Sequence, residues 1–259
     1  VIMDKADLIG EYSRKVRVAS YQVGAQRQLK LSMLLRMCQE VSQQHLDLFG
    51  FSYEKMYEDN IVFLLITSRM KIRRMPLHNE EVTVKTHPRG VCGAQFYRDF
   101  KAYSGDEEII DVMQTTVAAD PQTHKILRPR VFLDYVGFPG TKVSPEERIG
   151  KAEIPENLPF VGERPIRYSD IDFNYHLNNT VYGDIVTDFL PGGAENCRYS
   201  EVRINYINES ALGDVLKIYA AKQDGKVRMK GMNARGCGFT ATATVLPMDG
   251  MPDYSKKFG

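Results

Sequence analysis

Twice along this chain a helical stretch is followed by four β-like segments separated by turn residues. That repeated order limits the fold more than any single motif does. In the first half, residues 12–23 read as a β-like segment. Apolar residues then recur at Leu31, Leu34, Leu35, Cys38, Val41, His45-Leu46 and Phe49. This spacing predicts a helix over 31–49, with Gly50 as its stop. Segments 61–72, 81–86, 95–103 and 109–119 are β-rich, and Met75-Pro76, Pro88-Arg89-Gly90, Ser104-Gly105-Asp106 and Asp120-Pro121 mark the turns. Residues 137–160 hold seven Gly and Pro residues from Gly137 to Pro159 with little periodicity, which reads as a linker. The order then recurs. A short strand leads to a helix from Asn178 or Asn179 to about Leu190, stopped by Pro191-Gly192-Gly193. Segments 201–206, 215–221, 227–232 and 239–246 follow as strands.

Each half is thus one helix plus an antiparallel sheet, with no sequence identity between the halves. The expected class is α+β. A sheet wrapped around one long helix, duplicated in one chain, is a tandem (double) hot-dog fold; two unrelated α+β domains are the other arrangement. The boundaries read as residues 1–136, a linker over 137–160, and residues 161–259. The 259 residues, 43% of them hydrophobic, suffice for a sizeable core. A net charge of +1 gives no field for nucleic acid. Cys38, Cys92, Cys197 and Cys237 lie far apart without a CxxC pair, so neither a structural zinc site nor a disulfide is expected. No apolar run reaches the ~18 residues of a membrane span, and no secretory pattern opens the sequence. A reducing, cytoplasmic setting is the expectation. Oligomeric state stays open, a homodimer included.

The chemistry concentrates at residues 170–179, Asp-Ile-Asp-Phe-Asn-Tyr-His-Leu-Asn-Asn, where polar and apolar residues alternate. Read as an extended segment, this puts Asp170, Asp172, Asn174, His176 and Asn178 on one face. Ile171, Phe173, Tyr175 and Leu177 take the other. The polar row feeds into the predicted helix start, where free N–H groups near Asn178 and Asn179 can polarise a carbonyl. His45 reads as a core or pocket-lining histidine. His78, His87 and His124 sit near turns and form no metal-like cluster. No phosphate loop or dinucleotide fingerprint is present, so no cofactor or metal is expected.

These residues resemble a family signature. Arg167-Tyr-Ser-Asp-Ile-Asp-Phe-Asn-Tyr-His-Leu-Asn-Asn179, followed by Tyr182, resembles the R-x-S-D-x-D-x-N-x-H-V-N-N-x-x-Y pattern of acyl-acyl-carrier-protein thioesterases of the plant and bacterial FatA/FatB type. Asn205-Tyr206-Ile-Asn-Glu209-Ser210 resembles the later D-Y-R-x-E-C segment. Met75-Pro76, residues 82–86, Gly93 and Arg98-Asp99-Phe100 agree in order with the family's strand and turn landmarks. The resemblance implies a catalytic Asp172, Asn174, His176 and Glu209, with an acyl carrier protein as the substrate's carrier. It also implies an acyl-binding first half. Two departures stand out. Ser210 replaces the family's Cys, which argues against a thiol nucleophile. Ile185 stands where the family often has Trp, which bears on packing or pocket shape.

Thioester hydrolysis needs a base or nucleophile, polarisation of the carbonyl and a route for the thiolate. Asp172 can activate water or attack directly. Asn174 can orient water or donate to the carbonyl oxygen. His176 can hold Asp172 or donate to the oxyanion, and Glu209 can tune His176. Two basic rows, Arg69-Lys71-Arg73 and Lys226-Arg228-Lys230, each alternate along a predicted strand. They are either a solvated face or a docking surface for an acidic carrier. An acyl-CoA thioesterase, a hot-dog dehydratase and a non-catalytic acyl-binding module are the rival readings.

Overall fold

In a computed structural model, which describes residues 10–123, 125–136 and 141–248, helix α1 spans Leu31–Asp47. Its buried positions Leu31, Leu34, Leu35, Cys38, Val41 and His45 follow the sequence spacing. It ends two residues earlier than expected. Gly50 takes φ +78, and the Phe51 N–H turns back to the Leu46 carbonyl at 3.1 Å. Three further helices are α2 (Tyr53–Glu58), α3 (Pro129–Val136) and α4 (Tyr182–Asp188). The first two have no counterpart in the sequence reading. Ser52 caps α2, its Oγ accepting from the Lys55 N–H at 3.2 Å.

The strands are β1 (Tyr12–Arg17), β2 (Val62–Ile72), β3 (Glu81–Cys92), β4 (Gln95–Ser104), β5 (Glu107–Ala119), β6 (Phe160–Pro165), β7 (Cys197–Tyr206), β8 (Val215–Gln223), β9 (Lys226–Asn233) and β10 (Gly236–Pro247). They form one antiparallel sheet in the order β1-β3-β4-β5-β2-β7-β10-β9-β8-β6. The order reads the same from either edge: β1 to β5 on one side answer β6 to β10 on the other. The duplication seen as element order is therefore a duplication of topology, joined at β2–β7. There Thr67 faces Asn205, Arg69 faces Arg203 and Lys71 faces Glu201. Asn205 Nδ2 donates to Thr67 Oγ1 at 2.8 Å across the buried seam.

The repeat extends to backbone hydrogen bonds. In the first half the Gly24 N–H donates to Gln28, and the Arg27 N–H to Gly24. In the second half Asp172 donates to His176, and Tyr175 to Asp172. Bridges Val23–Leu29 and Ile171–Leu177 close the two turns. Both turns need a left-handed residue, Arg27 at φ 56 and Tyr175 at φ 62. Leu29 and Leu177 each donate to the neighbouring loop, at Pro76 and Ser210.

One side of the sheet packs on α1 and α4 through a single large apolar cluster that includes Met70, Phe100, Ile204, Ile218 and Phe239. The other side carries the segment from Thr141 to β6. The sequence reads this region as linker, of which residues 137–140 lie outside the described residues. From Thr141 on it is bound to the sheet. Val143 and Ile149 bury against Tyr97 and Met113. The Ala152 N–H donates to Asn205 Oδ1 at 3.1 Å, and Lys230 Nζ donates to the Glu156 carbonyl at 2.6 Å.

The two central helices meet where only glycine fits. A Cβ on Gly183 of α4 would lie 2.7 Å from Ser32 N and 2.9 Å from Ser32 Cα of α1. Ser32 Oγ donates to Asp184 Oδ1 at 2.6 Å beside this crossing. Overpacking against backbone cannot be relieved by a rotamer change. Gly183→Ala is expected to cost about 2 kcal/mol or more. The thermal midpoint then drops by roughly 5 °C or more. A melt within one degree of the parent would show that the crossing tolerates separation.

Candidate active site

Residues 170–179 do not form the extended row that alternation suggests. Residues Tyr168–Asp170 make one 3-10 turn, and the chain then reverses between Asp172 and His176. The reversal has a local cause. Asp172 Oδ1 accepts from the Asn174 N–H at 2.9 Å, an Asx-type turn that competes with extended backbone. The apolar half of the expected pattern fails with it. Ile171 and Leu177 pack inward, while Phe173 and Tyr175 at the tip are exposed.

The polar residues separate by role. Asp170 is buried and supports the loop. Its Oδ1 accepts from Arg164 Nη2 at 2.8 Å and its Oδ2 from the Arg167 N–H at 2.9 Å. Asp172 and Asn174 line a cavity of about 330 Å³. His176 and Glu209 are not on its wall; they pair with each other, Nε2 to Oε2, at 3.1 Å on an accessible surface. A backbone bridge from His176 to Ala211 holds this pair beside the turn. Helix α4 begins at Tyr182, later than the sequence suggests. Asn178 caps the turn before it, its Oδ1 accepting from the Thr180 N–H at 2.9 Å and Oγ1 at 2.7 Å. The Asn178 and Val181 amides are also committed, to the Asp170 and Asn178 carbonyls. Asn179 lies on the cavity wall, its carbonyl accepting from Tyr206 Oη at 3.2 Å.

Most of the cavity wall comes from the first half. Leu35, Leu46, Phe63, Phe96, Phe132 and Leu133 line it between α1, α3 and the sheet. Phe63 and Phe132 stack edge-on at 4.8 Å, and Phe96 joins them at 5.3 and 5.5 Å. Arg98 also reaches the wall, with Nη1 3.1 Å from His45 Nδ1; burial holds its pKa down to about 10. His45 is buried, stacked on Tyr12 at 5.5 Å. The mouth holds a residue that the sequence reading missed. Tyr53, the first residue of α2, donates its hydroxyl to Asn174 Oδ1, and its ring meets Phe173 at 4.4 Å. The two partners are 121 residues apart, so no local pattern could reveal the contact.

The position of the family's Cys is structural here. Ser210 is buried, its carbonyl accepting from the Leu177 N–H at 2.7 Å and its Oγ from Asn233 Nδ2 at 3.2 Å. Ile185 is fully buried in the core and does not reach the cavity. None of the four cysteines lines the cavity, and burial pushes the Cys38 thiol up to about 12. Among the described residues no group of His, Cys, Asp and Glu could hold a metal; His124 lies outside them. Among the same residues no helix is long and apolar enough to cross a membrane.

Both basic rows stand on the sheet face turned away from the helices. Arg69 faces Arg203 across the seam, and Arg73 pairs with Glu107 at 3.6 Å. Lys230 holds the Glu156 carbonyl, while Lys71, Arg73 and Lys226 are exposed. Neither row borders the cavity.

The turn that carries Asp172 has a counterpart without its chemistry. At the matching places of the first-half turn stand Gly24, Gln26 and Gln28, and Met75 answers Glu209. One turn of a pair with matching hydrogen bonds therefore holds Asp172, Asn174 and His176, with Glu209 on the loop after β7, and it borders a cavity lined mostly by the other half.

Comparison with known proteins agrees. Residues 10–133 match the acyl-ACP thioesterase N-terminal domain, and residues 157–242 match the C-terminal domain of the same family. The chain belongs to the acyl-ACP thioesterase family. An oleoyl-acyl carrier protein thioesterase of Arabidopsis thaliana is 24% identical over 199 residues, which cover 70% of this chain and 54% of that protein. A Coriandrum sativum enzyme of the same description is 26% identical over the same shares. The chain thus spans about half the length of these chloroplastic relatives. Among solved structures, an acyl-ACP thioesterase from Bacteroides thetaiotaomicron superposes with a TM-score of 0.79 at 18% identity, covering 94% of this chain and all of that one. The 12:0-ACP thioesterase of Umbellularia californica gives 0.80 at 18% identity, covering 92% and 97%. These likenesses establish the double hot-dog fold.

Proposed function

We propose that this protein hydrolyses fatty acyl-acyl-carrier-protein thioesters to the free acid and the carrier's thiol, in a cytoplasmic setting. One observation carries the reading: a carboxylate and an amide, Asp172 and Asn174, stand on the wall of a largely apolar cavity. The cavity takes the acyl chain, and the thioester carbonyl lies at the Asp172 end. Asp172 Oδ1 is engaged by the Asn174 N–H, which leaves Oδ2 to take a proton from water or to attack the carbonyl carbon. The oxyanion is met by Asn174 and by the Asn179 N–H at the turn before α4. Glu209 fixes the His176 ring through Nε2 beside the turn, and the proton that Asp172 takes from water passes on to the departing thiolate. Residues 1–136 supply the acyl-binding half and residues 161–259 the catalytic half.

Asp172→Asn preserves shape and removes the base or nucleophile. Its kcat is expected to fall on the order of 10²-fold or more with the melting curve unchanged. A well-folded Asp172→Asn protein that keeps parental turnover would end this assignment.

The carrier is tested separately. With the same acyl chain on both carriers, kcat/KM for the carrier protein is expected to exceed that for CoA by about tenfold or more. The extra protein contacts act mainly on encounter and orientation. If the basic rows form the docking face, Glu at Lys71, Arg73 or Lys226 lowers only the carrier-protein value. Equal efficiency on both carriers would replace this substrate with acyl-CoA, and no turnover on either would leave an acyl-binding module.

A further inference from the structure

The catalytic turn comes from the second half, yet the side-chain bond that orients its amide comes from the first. Asn174 Oδ1 accepts from Tyr53 Oη, while its backbone N–H is tied to Asp172 Oδ1 at 2.9 Å. Both side chains line the cavity. Ser52 fixes where α2 begins, and so where Tyr53 stands. The Tyr53 ring is held in turn by Phe173 at 4.4 Å and Tyr57 at 5.9 Å.

We propose that Tyr53 is a positioning residue for the reaction: its hydroxyl holds the Asn174 side chain so that the NH2 group, not the carbonyl, faces the thioester. The inference rests on Asn174's place in the proposed site. The terminal torsion of asparagine is broad and roughly two-fold, so its two ends exchange at little cost when nothing holds them. A carbonyl turned to the developing oxyanion repels it; an NH2 group donates to it. Oδ1 is already occupied, so Asn174 acts through Nδ2. The phenol must stay protonated to enforce this. Burial raises its pKa above the usual value, and the neighbouring Tyr57 and Asp172 raise it further. The hydroxyl is therefore a donor throughout the neutral range.

Tyr53→Phe removes the hydroxyl and leaves the ring against Phe173. On an acyl-carrier substrate its kcat is expected to fall about tenfold, less than for direct loss of an oxyanion donor. KM stays within about twofold, because the cavity wall is unchanged. In an Asn174→Ala background, adding Tyr53→Phe changes nothing further, since the group it positions is gone. Tyr21→Phe, which removes an exposed hydroxyl away from the cavity, turns over like the parent. If Tyr53→Phe matches the parent while Asn174→Ala is impaired, this inference falls and the proposed site stands. If the full Tyr53→Phe loss persists in the Asn174→Ala background, the residue acts on something else and the inference also falls. If Asn174→Ala itself turns over normally while Asp172→Asn does not, Asn174 leaves the site and the inference leaves with it.

Discussion

The antiparallel seam between β2 and β7 makes two half-sheets into one molecule with one site. Its register sets Thr67 against Asn205 and closes with a buried side-chain hydrogen bond. On the helix side of that seam, Gly183 lets α4 approach the backbone of α1 at Ser32. Sheet register and helix crossing together fix how the second half sits on the first. Moving either one displaces the Asp172 turn from the cavity that it borders.

Duplication supplies two five-stranded half-sheets, each with a central helix, and the chain uses the copies differently. The turns before α1 and α4 share their hydrogen bonds and their left-handed residue. Only the second carries Asp, Asn and His. The helices diverge in the opposite sense: α1 has 17 residues and borders a cavity, whereas α4 has 7 and sits in filled core around Ile185 and Phe239. The cavity wall combines side chains of both halves, and the proposed site is composite for that reason. That combination explains why Tyr53, from the first half, bonds Asn174 in the second.

What the sequence made legible was periodic. The 3.6-residue spacing of Leu31 to His45 locates α1, and four strands follow each helix as expected, with β3, β7 and β10 at least four residues longer; the 12–23 segment is strand only to Arg17 before a 3-10 turn. The candidate site residues stand out in the sequence as a motif, but their geometry does not follow its alternation. Alternation through Asp170 to Asn178 has the period of a strand, and a side-chain oxygen on Asp172 turned the chain instead. The shared turn geometry was hidden because backbone bonds carry it: Gly24 and Asp172 fill the same place with nothing in common as side chains. Short α2 has too few residues to show a period, so Tyr53 went unseen. The linker composition of residues 141–160 concealed a segment anchored by Val143, Ile149 and Lys230.

The central claim is that the acyl chain occupies the first half's cavity while the second half's turn acts on its thioester. The chain contains no tryptophan, so Phe132→Trp would place a sole indole among Phe63 and Phe96. The direct measurement is a fluorescence titration of that variant with a long-chain fatty acid, the product of the proposed reaction. The account predicts a saturable emission change whose half-point matches the acid's inhibition constant against turnover. Inhibition by the acid with no change in emission would place the acyl chain elsewhere and contradict the account.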